Sequence, residues 1–130
     1  MKNIFKIGDK KVFKKNVSKS DFAFFENDQV HEVYATFALG RDAEWCCRLF
    51  VLDMKEDMEE GIGSFLTIQH HSPAFENQLV EFEATVKSII KNEIICTYEA
   101  RVNGRLIASG EQGQKIVQKE KLKHLFESLK

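Results

Sequence analysis

The stretch from Leu39 to Met54 restricts the fold of this chain more than any other, because it is apolar on nearly all sides. Its length and composition predict a helix, and a helix of this kind is buried in a core rather than lying on a surface. Its apolar residues include Ala43, Trp45, Cys46, Cys47, Leu49, Phe50, Val51 and Leu52. Such a helix needs a partner that covers more than one of its sides.

Glu44 is the exception within this helix. An ionised carboxylate is costly to bury unless partners receive it. One explanation is an ion pair with an Arg or Lys from a neighbouring strand, which is the commoner role of a half-buried Glu. The other is a carboxylate used in chemistry, since partial desolvation makes a carboxylate a stronger base.

The second half of the chain predicts antiparallel strands. Residues 80–86 and 94–102 alternate between apolar and polar side chains, which is the period of a half-buried strand. Asn103-Gly104 is a hairpin turn signal, and 106–117 reads as the returning strand. An earlier strand is predicted at 65–71.

The remaining segments are less regular. Residues 4–17 predict a strand with a lysine-rich face, 18–30 a loop or short helix, and 56–63 a charged loop. The tail has apolar residues at helical spacing and predicts an amphipathic C-terminal helix. A long apolar helix followed by a meander of strands is best covered by a curled sheet. We therefore predict an α+β hot-dog fold, a curled antiparallel sheet wrapped round a central helix, as one domain over 1–130.

Composition limits the classes of function. The 130 residues are 43% hydrophobic and 30% charged, with a net charge of −1, so no overall basic field would attract nucleic acid. Three cysteines, two of them adjacent, predict reduced thiols rather than a disulfide framework. Met1 leads into charged residues, and no apolar run reaches the length of a membrane span. We expect a cytoplasmic protein with no membrane or nucleic-acid partner.

Three stretches resemble the fluoroacetyl-CoA thioesterase branch of the hot-dog thioesterases: 35–45, 71–79 and 109–110. The features that carry the resemblance are the spacing of eight residues from Thr36 to Glu44 and the Glu-Trp pair within the helix. Enzymes of this branch hydrolyse an acyl-CoA thioester to a free acid and CoA. The resemblance implies an acyl-CoA substrate, no cofactor and a homodimer.

The resemblance also implies the catalytic residues Thr36, Glu44 and His71. Glu44 would attack the carbonyl or activate water, His71 would act as acid or base, and Thr36 would donate a hydrogen bond. Because hot-dog sites usually form between two subunits, Glu44 and His71 would come from different chains. His70 and His71 are adjacent in a predicted strand and so point to opposite faces, which allows only one of them into a pocket.

Other positions are implied as substrate contacts. The gating phenylalanine of the branch falls on Val30, six residues before Thr36. A glycine seven residues before the histidine falls on Ser64, beside Gly63. A His and an Arg near the end of the last strand fall on Gln112 and Gln114, where Lys115 would supply a nearby charge. The resulting set is Val30, Gly63, Ser64, Gln114 and Lys115.

Several residues have simpler explanations. Thr36 fits a helix N-cap, and Gly40-Arg41-Asp42 fits a helix start, whose unpaired N–H groups would also suit an oxyanion. Cys46 and Cys47 are better explained as core packing than as nucleophiles. The four histidines lack metal-site spacing, so no metal is expected.

Two other functions remain open. One is a non-catalytic hot-dog module that binds an acyl-CoA or acyl ligand. A dehydratase or hydratase on the same fold is weaker, since it requires an Asp-His pair that the sequence does not show.

Overall fold

The computed structural model describes residues 1–130, which form eight strands and two α-helices. The strands are β1 (Lys10–Asn16), β2 (Phe22–Phe25), β3 (Asp28–Tyr34), β4 (Glu59–Leu66), β5 (Gln69–His70), β6 (Leu79–Ile90), β7 (Glu93–Val102) and β8 (Arg105–Gln118). The helices are α1 (Thr36–Met54) and α2 (Lys119–Ser128), and a 3-10 turn covers Lys19–Asp21.

The main sheet is antiparallel, in the order β1-β6-β7-β8-β4, with β5 pairing with β8 beyond the end of β4. It curls around α1, which packs against all five strands in that order. β2 and β3 form a separate hairpin before the helix. This architecture confirms the predicted hot-dog fold and the C-terminal helix.

Alternation on the long strands builds the core. On β6 and β7 every second side chain is buried, and these side chains face α1: Val80, Phe82, Ala84, Val86, Ile94, Cys96, Tyr98, Ala100 and Val102. The helix contributes the other half of the core: Ala38, Leu39, Ala43, Cys46, Cys47, Phe50, Val51 and Met54. The turn at Asn103-Gly104 has positive φ at both residues, as its sequence predicted.

Three predictions about the elements were wrong. The helix begins at Thr36, three residues earlier than Leu39. The segment 56–63 was predicted as a charged loop, but Glu59–Gly63 belongs to β4, whose acidic first residues occupy its end. The segment 18–30 contains the 3-10 turn and most of the β2–β3 hairpin, because Glu26 and Asn27 adopt positive φ and form a tight turn.

The helix was also expected to be covered on all sides, and it is not. One face of α1 remains open in the single chain, where Phe37, Glu44, Trp45 and Leu52 are exposed. The sheet covers the opposite face. Neither helix is long and apolar enough to cross a membrane.

Candidate active site

Glu44 lies on the open face of α1, above the inner surface of β4 and β8. Its Oε1 accepts a hydrogen bond from Nε2 of Gln112 at 3.2 Å. No Lys, Arg or His nitrogen lies within 4.0 Å of its carboxylate, although Arg48 is one turn further along α1, because Arg48 pairs with Glu60 at 2.8 Å. The ion pair that was the simpler explanation of Glu44 is therefore not formed in this chain.

Gly63 provides the space for this carboxylate. A Cβ at Gly63 would lie 2.6 Å from Oε1 of Glu44, closer than two such atoms can approach. Ser64 occupies a bulge in the β4–β8 pairing, and its hydroxyl donates to Glu93 at 3.0 Å. Of the two neighbours predicted to contact substrate, only Gly63 faces Glu44.

Near the end of β8, the two other residues predicted to contact substrate, Gln114 and Lys115, lie on opposite faces of the sheet. Gln112 and Gln114 are buried on the inner face of the sheet, and Nε2 of Gln114 donates to Oε1 of Gln112 at 3.0 Å. Gln114 therefore reaches Glu44 only through Gln112. Lys115 is the next residue, so its side chain lies on the outer face and is exposed, away from Glu44.

Thr36 and His70 form a second polar group at the start of α1. Oγ1 of Thr36 and Nδ1 of His70 are 2.9 Å apart, and Nε2 of His70 is buried without a hydrogen-bond partner. Burial lowers the pKa of His70 below its usual value, with a smaller contribution from the neighbouring His71. The lowered pKa favours the neutral imidazole, in which one ring nitrogen carries a hydrogen and the other is an acceptor.

The resemblance implied His71, whereas in the structure it is His70 that contacts Thr36. Nε2 of His71 lies 2.9 Å from Oγ of Ser109. The sequence analysis preferred His71 to His70, although one signal favours His70: the glycine expected seven residues before the histidine is present as Gly63 when the count starts from His70. Starting the count from His71 gave Ser64 instead.

The N-terminus of α1 carries unpaired backbone donors at the same place. Ala35 is the N-cap residue and has no side-chain oxygen, so no side chain caps the helix. The N–H groups of Thr36, Phe37 and Ala38 have no hydrogen-bond partner, whereas that of Leu39 bonds to Ala35. The donors that we expected at Gly40-Arg41-Asp42 thus lie one turn earlier, because the helix begins earlier.

An ionic cluster with buried carboxylates and an exposed arginine, Arg41, fixes this helix end. The hydroxyl of Tyr34 donates to Asp42 at 2.5 Å, and Nη2 of Arg41 donates to both Asp21 and Asp42, at 2.9 and 3.0 Å. The backbone N–H of Ala35 bonds to the carbonyl of Asp21. The cluster joins the 3-10 turn, β3 and α1, and so holds Thr36 in place.

Apolar side chains surround the Thr36 end of the site. Val30 on β3 is exposed, and the ring of Phe25 meets that of Phe37 edge to face at 5.7 Å. A shallow cavity of about 330 Å³ lies beside the two histidines, lined by Val33, His70, His71, Ser72 and Pro73. The largest cavity, about 500 Å³, is remote from both polar groups, between α2 and Glu60.

The two polar groups are separate within one chain. Thr36 is the first residue of α1 and Glu44 follows eight residues later. Eight residues of α-helix rise about 12 Å along the axis. The hydroxyl of Thr36 therefore does not reach the carboxylate of Glu44 in the same chain, and one thioester cannot contact both groups without a rearrangement or a second copy.

The cysteines are not suited to nucleophilic chemistry. All three are free and buried. Burial raises the pKa of Cys46 to about 11, and a hydrogen bond with Cys96 together with burial raises the pKa of Cys47. Cys46 and Cys47 therefore stay protonated at neutral pH, and all three cysteines act as core side chains. No group of three or more His, Cys, Asp or Glu side chains is placed to hold a metal ion.

Solved structures with the same fold include several thioesterases. A hypothetical protein of Thermus thermophilus, described as a thioesterase superfamily member, is 31% identical with a TM-score of 0.93, covering 98% of this chain and 94% of that one. A variant of the fluoroacetyl-CoA-specific thioesterase FlK is 18% identical with a TM-score of 0.90, covering 99% and 100%. A hot-dog-like protein of Thermanaerovibrio acidaminovorans is 20% identical with a TM-score of 0.85, covering 97% and 94%.

These matches define a hot-dog protein of the thioesterase superfamily. The sequence also matches the family model described as fluoroacetyl-CoA-specific thioesterase (FlK) over residues 17–120. The chain therefore belongs to this thioesterase family. A search of curated proteins finds no match.

Proposed function

We propose that this protein is an acyl-CoA thioesterase that hydrolyses a small acyl thioester to the free acid and CoA. The observation that carries the proposal is the environment of Glu44. Its carboxylate has no cationic partner, lies against Gly63 and accepts one hydrogen bond, from the amide of Gln112. A carboxylate that stabilised the fold would be paired, whereas one that attacks a thioester or takes a proton from water must stay free. Family membership gives the reaction class.

We propose that the remaining groups act on the other side of the thioester. The unpaired N–H groups of Phe37 and Ala38, with the hydroxyl of Thr36, would receive the oxyanion that forms when the carbonyl carbon is attacked. With Nδ1–H of His70 donated to Oγ1 of Thr36, Nε2 of the neutral ring would first take up a proton from solvent water and would then give that proton to the departing CoA thiolate. His70 takes the role that the resemblance assigned to His71, because His70 contacts Thr36 and its free nitrogen is buried at the helix start.

Two copies of the chain would complete the site. Since Glu44 and Thr36 lie about 12 Å apart along α1, the proposed dimer brings Glu44 of one chain to Thr36 and His70 of the other. The two edges of the sheet differ in a way that supports pairing through β4. β1 carries Lys10, Lys11, Lys14 and Lys15, which discourage edge pairing, whereas β4 carries no lysine and ends in the exposed Phe65 and Leu66.

The proposed acyl group is short and apolar. A cavity of about 330 Å³ beside His70 is at the small end of ligand sites, and Val33 and Pro73 give it an apolar part of its lining. We propose a cytoplasmic setting because three free thiols suit a reducing compartment.

The activity is tested by following free thiol release from a panel of short and long acyl-CoAs. We expect the wild type to hydrolyse short acyl-CoAs, and Glu44→Ala to lose roughly 10²–10⁴-fold in rate, as expected for loss of a general base. Binding of acyl-CoA without thiol release from any member of the panel would favour the non-catalytic module. Undiminished hydrolysis by Glu44→Ala would contradict the mechanism.

The histidines are tested as a matched pair. We expect His70→Ala to lose most of the activity and His71→Ala to retain it, since only His70 contacts Thr36. The reverse order would assign the role to His71. Circular dichroism of both variants checks that each one is folded.

The shared site is tested by mixing two inactive variants. In a Glu44→Ala and His70→Ala heterodimer, a shared arrangement leaves one site with an intact Glu44 and an intact His70, whereas sites within one chain are all defective. Random exchange of subunits makes about half of the dimers mixed and so restores about a quarter of wild-type activity. No recovery after subunit exchange, verified by mass spectrometry, would contradict the shared site.

A further inference from the structure

We propose that Gln112 is a positioning residue for Glu44, with Gln114 holding Gln112 in turn. The inference rests on the proposed function, because it assigns to two buried amides the task of orienting the carboxylate that acts on the thioester. Gln112 and Gln114 do not touch the substrate in this arrangement. They act on it through Glu44.

The hydrogen bonds of Gln112 allow one orientation of its amide. Nε2 donates to Oε1 of Glu44 at 3.2 Å and to the carbonyl of Gly113 at 2.9 Å, while Oε1 accepts from Nε2 of Gln114 at 3.0 Å. A rotation by 180° about the last side-chain bond would place Oε1 against two acceptors and Nε2 against a donor. Both donor hydrogens are therefore committed, and one of them always points at Glu44.

Burial makes this orientation rigid. Gln112 is 1% exposed and Gln114 is 3% exposed, on the inner face of β8, which is paired on both sides by β7 and β4. A buried amide that loses a partner has no water to replace it, so the chain of amides resists rearrangement. Glu44 differs, since it is exposed and would otherwise sample several rotamers. A fixed donor reduces this freedom and keeps Oε1 over Gly63.

The donor is also neutral, which suits a carboxylate that must act as base or nucleophile. An amide orients the carboxylate without compensating its charge. Arg48, one turn along α1 from Glu44, pairs with Glu60, and Lys55 lies 3.9 Å from Glu60. Glu60 thus holds the guanidinium of Arg48, and the Gln112 amide is the one side-chain hydrogen-bond partner of Glu44.

The first test compares Gln112→Met, which keeps the length of the side chain and removes the donor, with Gln118→Met, an exposed control on the same strand. With the best acyl-CoA of the panel, we expect Gln112→Met to lower kcat about tenfold through a misplaced carboxylate, and to leave KM within about twofold. Gln114→Met should lower kcat by a smaller factor, and Gln118→Met should change neither constant. An unchanged kcat in Gln112→Met, or a rise in KM alone, would overturn the proposal while the proposed function stands.

The second test does not require turnover. In ¹⁵N-labelled protein, the side-chain amide signal of Gln112, assigned from its loss in Gln112→Met, should move in Glu44→Ala, and that of Gln118 should not. A Gln112 signal that stays in place would overturn the proposal. If the wild type hydrolyses no acyl-CoA, the proposed function fails. The amide signal then still tests whether Gln112 contacts Glu44, independently of activity.

Discussion

Glu44 has room for its carboxylate and no cationic partner because the residues around it are small or neutral. A side chain at position 63 would occupy the space of its carboxylate, and a charged residue at 112 would replace a neutral amide with a competing charge. Arg48, one turn away on the same helix, would be a natural partner at this spacing, but Glu60 holds it. At the scale of single residues, the site depends on keeping one carboxylate close to a hydrogen-bond donor and free of cations.

Substitution of Gly63 tests this directly. We expect Gly63→Ala to lower kcat about 10²-fold, because displacement of a reacting group by about 1 Å is enough for such a loss. The melting temperature should change little, since the atom that must move is the end of the flexible Glu44 side chain. Thiol release and thermal melts measure the two effects. The neighbouring Ser64→Ala is the control, because Ser64 faces Glu93, and an equal loss of activity there would contradict the argument.

The start of α1 carries both the contacts that anchor the helix and the groups that we propose to act on the thioester. Its first residue bonds to His70, its first N–H groups are unpaired, and its sixth and seventh residues, Arg41 and Asp42, join the ionic cluster with Asp21 and Tyr34. Helix starts are usually capped by a side chain, but here the N-cap residue is Ala35. The ionic cluster therefore fixes the helix end in place of a capping side chain, and the first N–H groups of α1 stay unpaired.

The cluster predicts how folding stability depends on pH. Burial alone would raise the pKa of Asp21, but hydrogen bonds from Ser18 and Arg41 and the charge of Lys15 lower it below its usual value. A carboxyl with a depressed pKa in the folded state stabilises the protein above its unfolded pKa of about 3.9, and loses that contribution as pH falls through the folded value.

We expect Asp21→Asn to lower the free energy of unfolding by about 1–3 kcal/mol at pH 7. Its loss of stability from pH 5 to pH 2 should be shallower than that of the wild type. Urea unfolding at a series of pH values measures both quantities. Asp57→Asn, on the exposed connection between α1 and β4, is the control and should follow the wild type. A parallel pH dependence for Asp21→Asn would contradict the assignment.

At the scale of the whole molecule, the single chain exposes a group of large apolar side chains that a second copy would cover. Phe37, Trp45 and Phe65 are 53%, 42% and 39% exposed, and they lie along the face that carries Glu44 and the free edge of β4. Exposed large apolar side chains in one region usually mark an interaction surface. The other sheet edge, β1, is instead covered with lysines. One side of the molecule thus suits pairing with a second copy and the other does not.

The proposed dimer is tested through Phe65. Because the chain has a mass of 15.0 kDa, light scattering after size exclusion should give twice that mass for the wild type. We expect Phe65→Lys to shift the protein towards the monomer and to lose thioesterase activity in proportion. Val12→Lys adds the same charge at an exposed position of β1 and should leave mass and activity unchanged. A Phe65→Lys protein that remains dimeric and active would exclude β4 as the interface.

Local patterns predicted much of the fold because they depend on neighbours in sequence. The alternation on β6 and β7, the Asn103-Gly104 turn and the helical spacing of the tail all appear where they were predicted. The predictions for β4 and for the start of α1 failed because contacts between residues distant in sequence determine both. β4 is a strand because β8 pairs with it, although its first residues are acidic. The helix starts at Thr36 because Asp21 and Tyr34 anchor it there, which residues 36–38 do not indicate by themselves.

The sequence by itself determined the fold class, the presence of one carboxylate on the apolar helix and the threonine eight residues before it. These follow from local periodicity and from the energetic cost of placing a charge among apolar residues. Only the tertiary structure decided which histidine meets Thr36, that Gln112 is the partner of Glu44, and that Gly63 makes room for it. Each of these depends on which side chains the sheet brings against the helix, since pairing between strands sets the register and the face of residues far apart in the chain.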